Sequence, residues 1–424
     1  MKKTRFLMVM VIVIFSLLLV VSCGKKKEEK QVEEKPEAAK VEAKAYKIGL
    51  SLAITGPTSD AGNPYSKGVE DYFNFVNDTK VLGDDTIDCM IRDDQYKTDI
   101  TKRNFEDFID QGIVLYLNYS TGSTLGLKKD FEEEKIPVIP ASYHAGNLDG
   151  SKYIFLPVAS YSEQLVALSE YVVKNHKGSG KAKVAMFIHP SAFGRGPVAD
   201  AEKAVAAGLN MEIVEVVEHG KDLDNSAMLK RLMSKGVQYV LCHTVQSPVA
   251  TMLKDSARLG LTATTYGEKG KLTFLGVHYT GGNDLIALAG DACNGYVWTC
   301  SFNLTSEPGE GTTKQLALAK KYGRDDKAAN SHNYAAGIMV AQVTTEAIKR
   351  AKAAGLEITK ANLYKVLNEM HGDKAYQPYT TMGPVTYSET DRAGVDMLQI
   401  YTVQNGAFKK VGSPMQSEYM KKIK

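Results

Sequence analysis

The sequence predicts an α/β fold of two doubly wound, parallel-sheet lobes joined by a multi-strand hinge. Three observations point there. Residues 46–424 are too many for one ordinary hydrophobic core and call for two domains. Along them, short β-branched runs alternate with amphipathic stretches, the pattern of parallel strands flanked by helices. That alternation reaches residues 153–156 and then begins again.

The first set of strands is expected at 47–54 (KIGLSLAI), 86–92 (TIDCMIR), 113–118 (IVLYLN) and 137–140 (PVIP), with helical patterns around 68–76, 99–111 and 123–134. The second set falls at 183–189 (KVAMFIH), 211–218 (MEIVEVVE), 238–243 (QYVLCH) and 273–277 (TFLGV). Helices are expected between them at 163–174, 197–208, 225–235 and 248–259. A strand-like 296–302 and three helical segments (314–322, 334–354 and 360–370) follow. They offer too few strands for a third lobe, so the helices are expected to return to the first. Closing strands near 385–387 and 397–402 are then expected to cross back to the second. The predicted boundaries are 46–160 with 301–392 for the N-terminal lobe, and 161–300 with 393–424 for the C-terminal lobe. Several crossings make a hinge, and a cleft lies between the lobes.

Lys2, Lys3 and Arg5 precede an apolar run over 6–21 broken only by Ser16, and Cys23 follows. A basic start, an apolar stretch and a small-residue end read as a signal peptide over 1–22. The run is short against the roughly 20 residues of a membrane span. Val20, Val21, Ser22 and Cys23 resemble the lipobox of bacterial lipoproteins, in which the Cys is diacylated and anchors the chain. Residues 24–45 are mostly Lys, Glu and Ala and cannot bury enough surface to order themselves, so a solvated tether is expected over 23–45. The charge of +3 belongs to the leader: without Lys2, Lys3 and Arg5 the 52 basic residues fall to 49, the number of acidic ones. No basic excess remains for a nucleic acid. Cys89, Cys242, Cys293 and Cys300 form no CxxC pair and read first as buried small hydrophobes, although an oxidising envelope would permit a Cys293–Cys300 disulfide.

Several short motifs occur in a fixed order. Thr55-Gly56-Pro57-Thr58 follows the first strand and Asp93-Asp94 ends the second. STGST (120–124), IPAS within 136–142, FGRGP (193–197) and MGPVTYSETDRAG (382–394) come next. In that order, from Tyr46 onward, the chain resembles substrate-binding proteins of the branched-chain amino-acid type of ABC transporter, with the class I periplasmic-binding-protein fold. The resemblance implies a Venus-flytrap receptor that closes on a small carboxylated solute and hands it to an ABC permease in the cytoplasmic membrane. It implies a monomer without cofactor or metal, anchored through Cys23 on the extracytoplasmic side of a membrane.

By position, the resemblance assigns Thr121 and Gly122 to the carboxylate-binding turn and Ala141 and Tyr143 to a second contact of the first lobe. Phe193, Gln246 and His278 fall where the second lobe would close. The family commonly has Thr where Tyr143 stands, and a carboxylate for the ligand's ammonium where His278 stands. An imidazole does not hold an ammonium well, so the amino group of the ligand is left open. Tyr96 and Ser120 occupy positions where some members place a disulfide. A hydrophobic amino acid or related organic acid is the first expectation. An aromatic acid or amide, or a sensory receptor of the same fold signalling through a membrane partner, is the alternative.

Residue chemistry agrees that ligands of open α/β sheets sit beyond the carboxyl ends of the strands. Ser120, Thr121, Ser123 and Thr124 could equally cap a helix, and Tyr143 and Phe193 could be packing between lobes. FGRGPVA (193–199) scans as GxGxxA, but Pro197 stands at what would be a helix first turn and no ribose-binding acid is placed. KGSGK (177–181) precedes a strand and reads as a turn. HExxH and GxSxG are absent and the eight His are scattered, so no enzyme is expected.

Overall fold

A computed structural model describes residues 42–220 and 224–423. The leader, Cys23 and nearly all of the charged tether lie outside the described residues. Four strands open the folded part: β1 (Ala45–Leu52), β2 (Thr86–Asp93), β3 (Leu115–Asn118) and β4 (Val138–Pro140). They form one sheet in the order β2-β1-β3-β4, parallel at every pairing. Its two inner strands are covered on both faces. Ile48, Leu50 and Leu52 have no exposed surface, and all of β3 is buried. Such strands read as near-continuous apolar runs, which is why they stand out in the sequence.

β5 (Leu156–Val158) leaves this sheet, and β6 (Ala182–Ile188), β7 (Met211–Glu218), β8 (Tyr239–His243), β9 (Thr273–Gly276) and β10 (Val297–Cys300) build a second. Near the end come β11 (Ala393–Val395), β12 (Leu398–Gln404) and β13 (Ala407–Met415). The second sheet has seven strands in the order β13-β12-β10-β9-β8-β6-β7, with β12 and β13 added as an antiparallel hairpin. β5 and β11 pair in parallel as a separate two-stranded ribbon. The polypeptide therefore passes between the two sheets three times: after β5, after β10 and after β11.

The helices after β10 return to the first sheet, as expected. His332–Ala353 is buried along most of its length and lies across Ser59–Asp78. Two glycines set that approach. A Cβ on Gly68 would stand 2.1 Å from the Tyr334 carbonyl oxygen, and one on Gly337 would stand 2.0 Å from that of Tyr65. Asp71, fully buried between these helices, accepts hydrogen bonds from Arg324 Nε and the Tyr334 hydroxyl, both at 2.8 Å.

Two details differ from the sequence reading. Residues 385–387 are not a strand: Val385 makes an isolated bridge to Tyr376, and the Tyr387 N–H bonds Met370 O. Pro384, just before them, has no N–H to give a ladder. β13 is not foreseen, because FKKVGSPM lacks an apolar alternation. It is an edge strand, where Lys and Pro are tolerated. The described cysteines are free thiols, with Cys242, Cys293 and Cys300 buried and Cys89 partly so.

Candidate functional site

The strands of both sheets point their carboxyl ends at one cavity of about 20 Å3. A space of roughly 10–15 Å3 on this measure admits one water, so the walls nearly meet. From the first sheet come Thr58, Tyr96, Tyr119, Ser120, Thr121 and Ala141. Tyr161 follows the hinge strand β5, and Phe193, Val245 and Tyr279 follow β6, β8 and β9. Among the described residues, no charged side chain lines the cavity.

Asp93 and Asp94, at the end of β2, explain how Tyr96 is presented. Gln95 and Tyr96 both have left-handed backbones, φ 53° and 62°, a conformation that non-glycine residues seldom adopt. The Gln95 N–H donates to Asp93 Oδ1 at 3.0 Å and the Tyr96 N–H to Asp94 Oδ1 at 2.8 Å, which hold the turn. Burial, opposed by those hydrogen bonds, raises the Asp94 carboxyl to about 6.

After β3, Ser120 caps the helix Thr121–Gly126 by accepting the Ser123 N–H at 3.1 Å. Thr124 N–H bonds Ser120 O. The N–H groups of Thr121 and Gly122 are the first two of that helix and have no acceptor within it. The Thr121 hydroxyl lies 2.7 Å from that of Ser142. On the facing wall, Tyr279 and Tyr161 donate their hydroxyls to Ala141 O at 2.7 and 3.4 Å, and on the first-sheet wall Tyr119 donates to Thr58 O at 3.1 Å. Burial pushes the Tyr96 phenol up to about 12 and those of Tyr119, Tyr161 and Tyr279 well above their ordinary value, so all four stay protonated. His243 donates Nε2–H to Phe193 O at 2.8 Å and so fixes the turn that carries Phe193. Burial lowers His243 to about 3, which keeps it neutral.

Of the residues singled out in the sequence, Thr121, Ala141 and Phe193 line the cavity. Gly122 is exposed on the outer side of its turn, beside Thr98. Gln246 is buried behind Val245, its amide 3.5 Å from Gly281 O. Tyr143 and His278 form a buried layer beneath the lining. Tyr143 stacks on Tyr279 at 5.6 Å. The His278 N–H donates to Gln164 Oε1, its carbonyl accepts from Trp298 Nε1, and its ring packs on Tyr143, Tyr279, Phe302 and His332. The ring that reaches the cavity is Tyr279, one residue further on. The sequence reading missed Tyr119, Tyr161 and Tyr279 as lining residues, and noted Tyr96 and Ser120 as positions where some relatives place a disulfide. Their common signal is a position just beyond a strand end.

The two walls are tied together. Asp60, on the helix over the first sheet, accepts the Ser247 hydroxyl at 2.8 Å and its N–H at 3.2 Å from the helix Gln246–Arg258 of the second. Ser331 donates its hydroxyl to Asp284 Oδ2 at 2.8 Å across the same cleft.

A sequence profile of the family described as Periplasmic binding protein matches residues 45–407. The chain belongs to the periplasmic binding protein family. This periplasmic binding protein superposes with a TM-score of 0.85 on a branched-chain amino-acid ABC transporter protein from Thermus thermophilus crystallised with bound valine. The two are 41% identical, over 90% of this chain and 99% of that one. It is 24% identical to the Leu/Ile/Val-binding protein homolog 3 of Brucella melitensis, over 85% of this chain and 91% of the relative. A fatty-acid ABC transporter substrate-binding protein from Thermomonospora curvata shares the fold at a TM-score of 0.76 with 19% identity. The periplasmic binding protein is thus a solute-binding protein of the branched-chain amino-acid ABC transporter type and, like its relatives, not an enzyme. The family implies an extracytoplasmic location.

Proposed function

We propose that the protein captures a small carboxylated solute, a branched-chain amino acid such as valine or a related organic acid, and feeds it to an ABC importer. The observation that carries this is the uncharged cavity between the strand ends of both sheets, whose first-sheet wall gathers hydroxyls and free N–H groups. Valine bound in the 41%-identical Thermus thermophilus protein supports the ligand class. In this reading Thr121 holds the carboxylate through its hydroxyl and main-chain N–H, the exposed Gly122 continues the same helix start, and Ala141 shapes the same wall. Phe193 closes from the second lobe, over residues 161–300 and 393–424. Tyr143, Gln246 and His278 support the contact layer from behind. Closure is a population shift, driven only by ligands that touch both walls. The chain acts as a monomer, exported by its leader and held to the membrane through acylated Cys23.

A ligand that binds only the folded protein raises its melting temperature, by about 2.7 kcal/mol of stabilisation at a hundredfold excess over Kd. Thermal shift against branched-chain, aromatic and hydroxy acids and amides is expected to single out valine, leucine or isoleucine or their acid analogues. A flat response across that panel would refute the reading. For the anchor, wild type is expected in the detergent phase after expression with its leader and Cys23→Ser in the aqueous phase; equal partition sinks it.

A further inference from the structure

The charge-free lining poses a chemical question for any ligand that carries an ammonium group. Burying a cation without a partner is costly, and the nearest carboxylates are already engaged. Asp60 is bonded to Ser247, Asp94 to the Tyr96 N–H and the Thr101 hydroxyl, and neither lines the cavity. Two main-chain acceptors of the lining are engaged too. The Ala141 carbonyl takes the hydroxyls of Tyr279 and Tyr161, and the Thr58 carbonyl takes that of Tyr119.

Beside the Thr58 hydroxyl, which lines the cavity without a partner, aromatic rings make up most of what remains. Tyr161, Phe193 and Tyr279 meet pairwise with centroids 5.2, 6.0 and 6.3 Å apart and ring planes 61–81° from one another, which makes the corner of a box. Each of the three lines the cavity, and Tyr96 and Tyr119, 6.4 Å apart, extend the aromatic lining. A ring face attracts a cation through its quadrupole, more so when both are out of water. The two tyrosine hydroxyls of the corner give their protons to Ala141 O, so their oxygens turn lone pairs, not protons, to a ligand.

We propose that the cationic end of the ligand is held by the aromatic corner of Tyr161, Phe193 and Tyr279 in place of an ion pair, so that the site accepts amino acids whose nitrogen is methylated. This rests on the reading of a carboxylated ligand docked at Thr121. A site built on a carboxylate loses its hydrogen bonds when the ammonium is methylated. An aromatic corner loses little, because a methylated ammonium keeps its charge and is easier to dehydrate.

The test is isothermal titration of the folded chain with valine, with N,N,N-trimethylvaline and with 3-methylbutanoate, which is valine without its nitrogen. Trimethylvaline is expected to bind at least as tightly as valine, and 3-methylbutanoate about tenfold or more weakly. A 3-methylbutanoate that matches valine, or methylation that abolishes binding, overturns the aromatic corner and leaves the carboxylate reading intact. No binding of any of the three overturns the reading of a valine-type ligand, and the aromatic corner with it. Phe193→Leu supplies a second measurement. Loss of a ring that holds the cation lowers the affinity ratio of trimethylvaline to 3-methylbutanoate by about fivefold, whereas loss of mere packing weakens both alike and leaves the ratio unchanged, which would overturn the proposal.

Discussion

The hydroxyls of Thr121 and Ser142 lie 2.7 Å apart, and Asn147 holds the Ser142 end of the pair. Asn147 Nδ2 donates to the Ser142 carbonyl at 2.9 Å and to the Ser142 hydroxyl oxygen at 3.2 Å. Its NH2 end is therefore the one that faces Ser142. The Ser142 oxygen keeps a second lone pair and one proton, so it can accept from Thr121 or donate to it; when it donates, the Thr121 proton is free for a ligand.

A Thr121 hydroxyl that accepts from Ser142 has its own proton to give, which suits a carboxylate. Thr121→Val removes a charge-assisted hydrogen bond worth about 1.5–3 kcal/mol and is expected to weaken valine binding at least tenfold. Thr121→Ser should stay close to wild type, and Ser142→Ala should cost about 0.5–1.5 kcal/mol. Titration calorimetry on the three variants checks this. Unchanged affinity in Thr121→Val would remove Thr121 from the site.

Gly337 packs its Cα against the backbone of the neighbouring helix, where a Cβ would stand 2.0 Å from Tyr65 O. Gly337→Ala must push Ser59–Asp78 and His332–Ala353 apart and is expected to lower stability by about 1–3 kcal/mol, although alanine is the better helix former. Chemical denaturation measures it. A variant as stable as wild type would mean that the two helices slide freely.

Two buried imidazoles near Phe193 set a pH dependence. Burial lowers His189 from its ordinary 6.5 to about 4 and His243 to about 3. The unfolded chain takes up these protons first, so the stability they preserve is complete above pH 6.5 and is lost as pH falls towards 4 and 3. Asp94 runs the other way. Its carboxyl, raised to about 6 in the fold, returns stability as pH falls from 6 towards 3.8. His144, His219 and His278 are lowered by burial as well, and Asp60 and Asp396 are raised with Asp94, so five losses against three gains predict a net fall in melting temperature from pH 7 to pH 5. His189 alone accounts for about 2 kcal/mol of it. Calorimetric melting of His189→Gln should show a shallower slope over that range; parallel curves for the two proteins would contradict it.

Much of the fold was legible because parallel strands covered on both faces write themselves as apolar runs, as LYLN of β3 and YVLCH of β8 do. β13 was not, because an edge strand is free to carry Lys409, Lys410, Gly412 and Pro414. In the site, Thr121, Ala141 and Phe193 were reached through the order of the family motifs, and all three line the cavity. Tyr279 was missed for a local reason: His278–Thr280 is a single 3-10 turn, and strand periodicity does not carry through it. The phase that sends His278 inward and Tyr279 to the cavity comes from Gln164 and Trp298, which clamp the His278 backbone from 114 positions before and 20 positions after. No local pattern contains that information.

The ribbon of β5 and β11 has a consequence for how quickly the walls find each other. Asp60 and Ser247 are 187 positions apart in the chain. In a free polymer their meeting would carry the entropy of closing a long loop. Three crossings, two of them bonded together as neighbouring strands, hold the facing surfaces on a short arc. The partners therefore meet at a high effective concentration. The binding free energy of a small solute can then go into shutting the cleft, with little lost to the search for alignment.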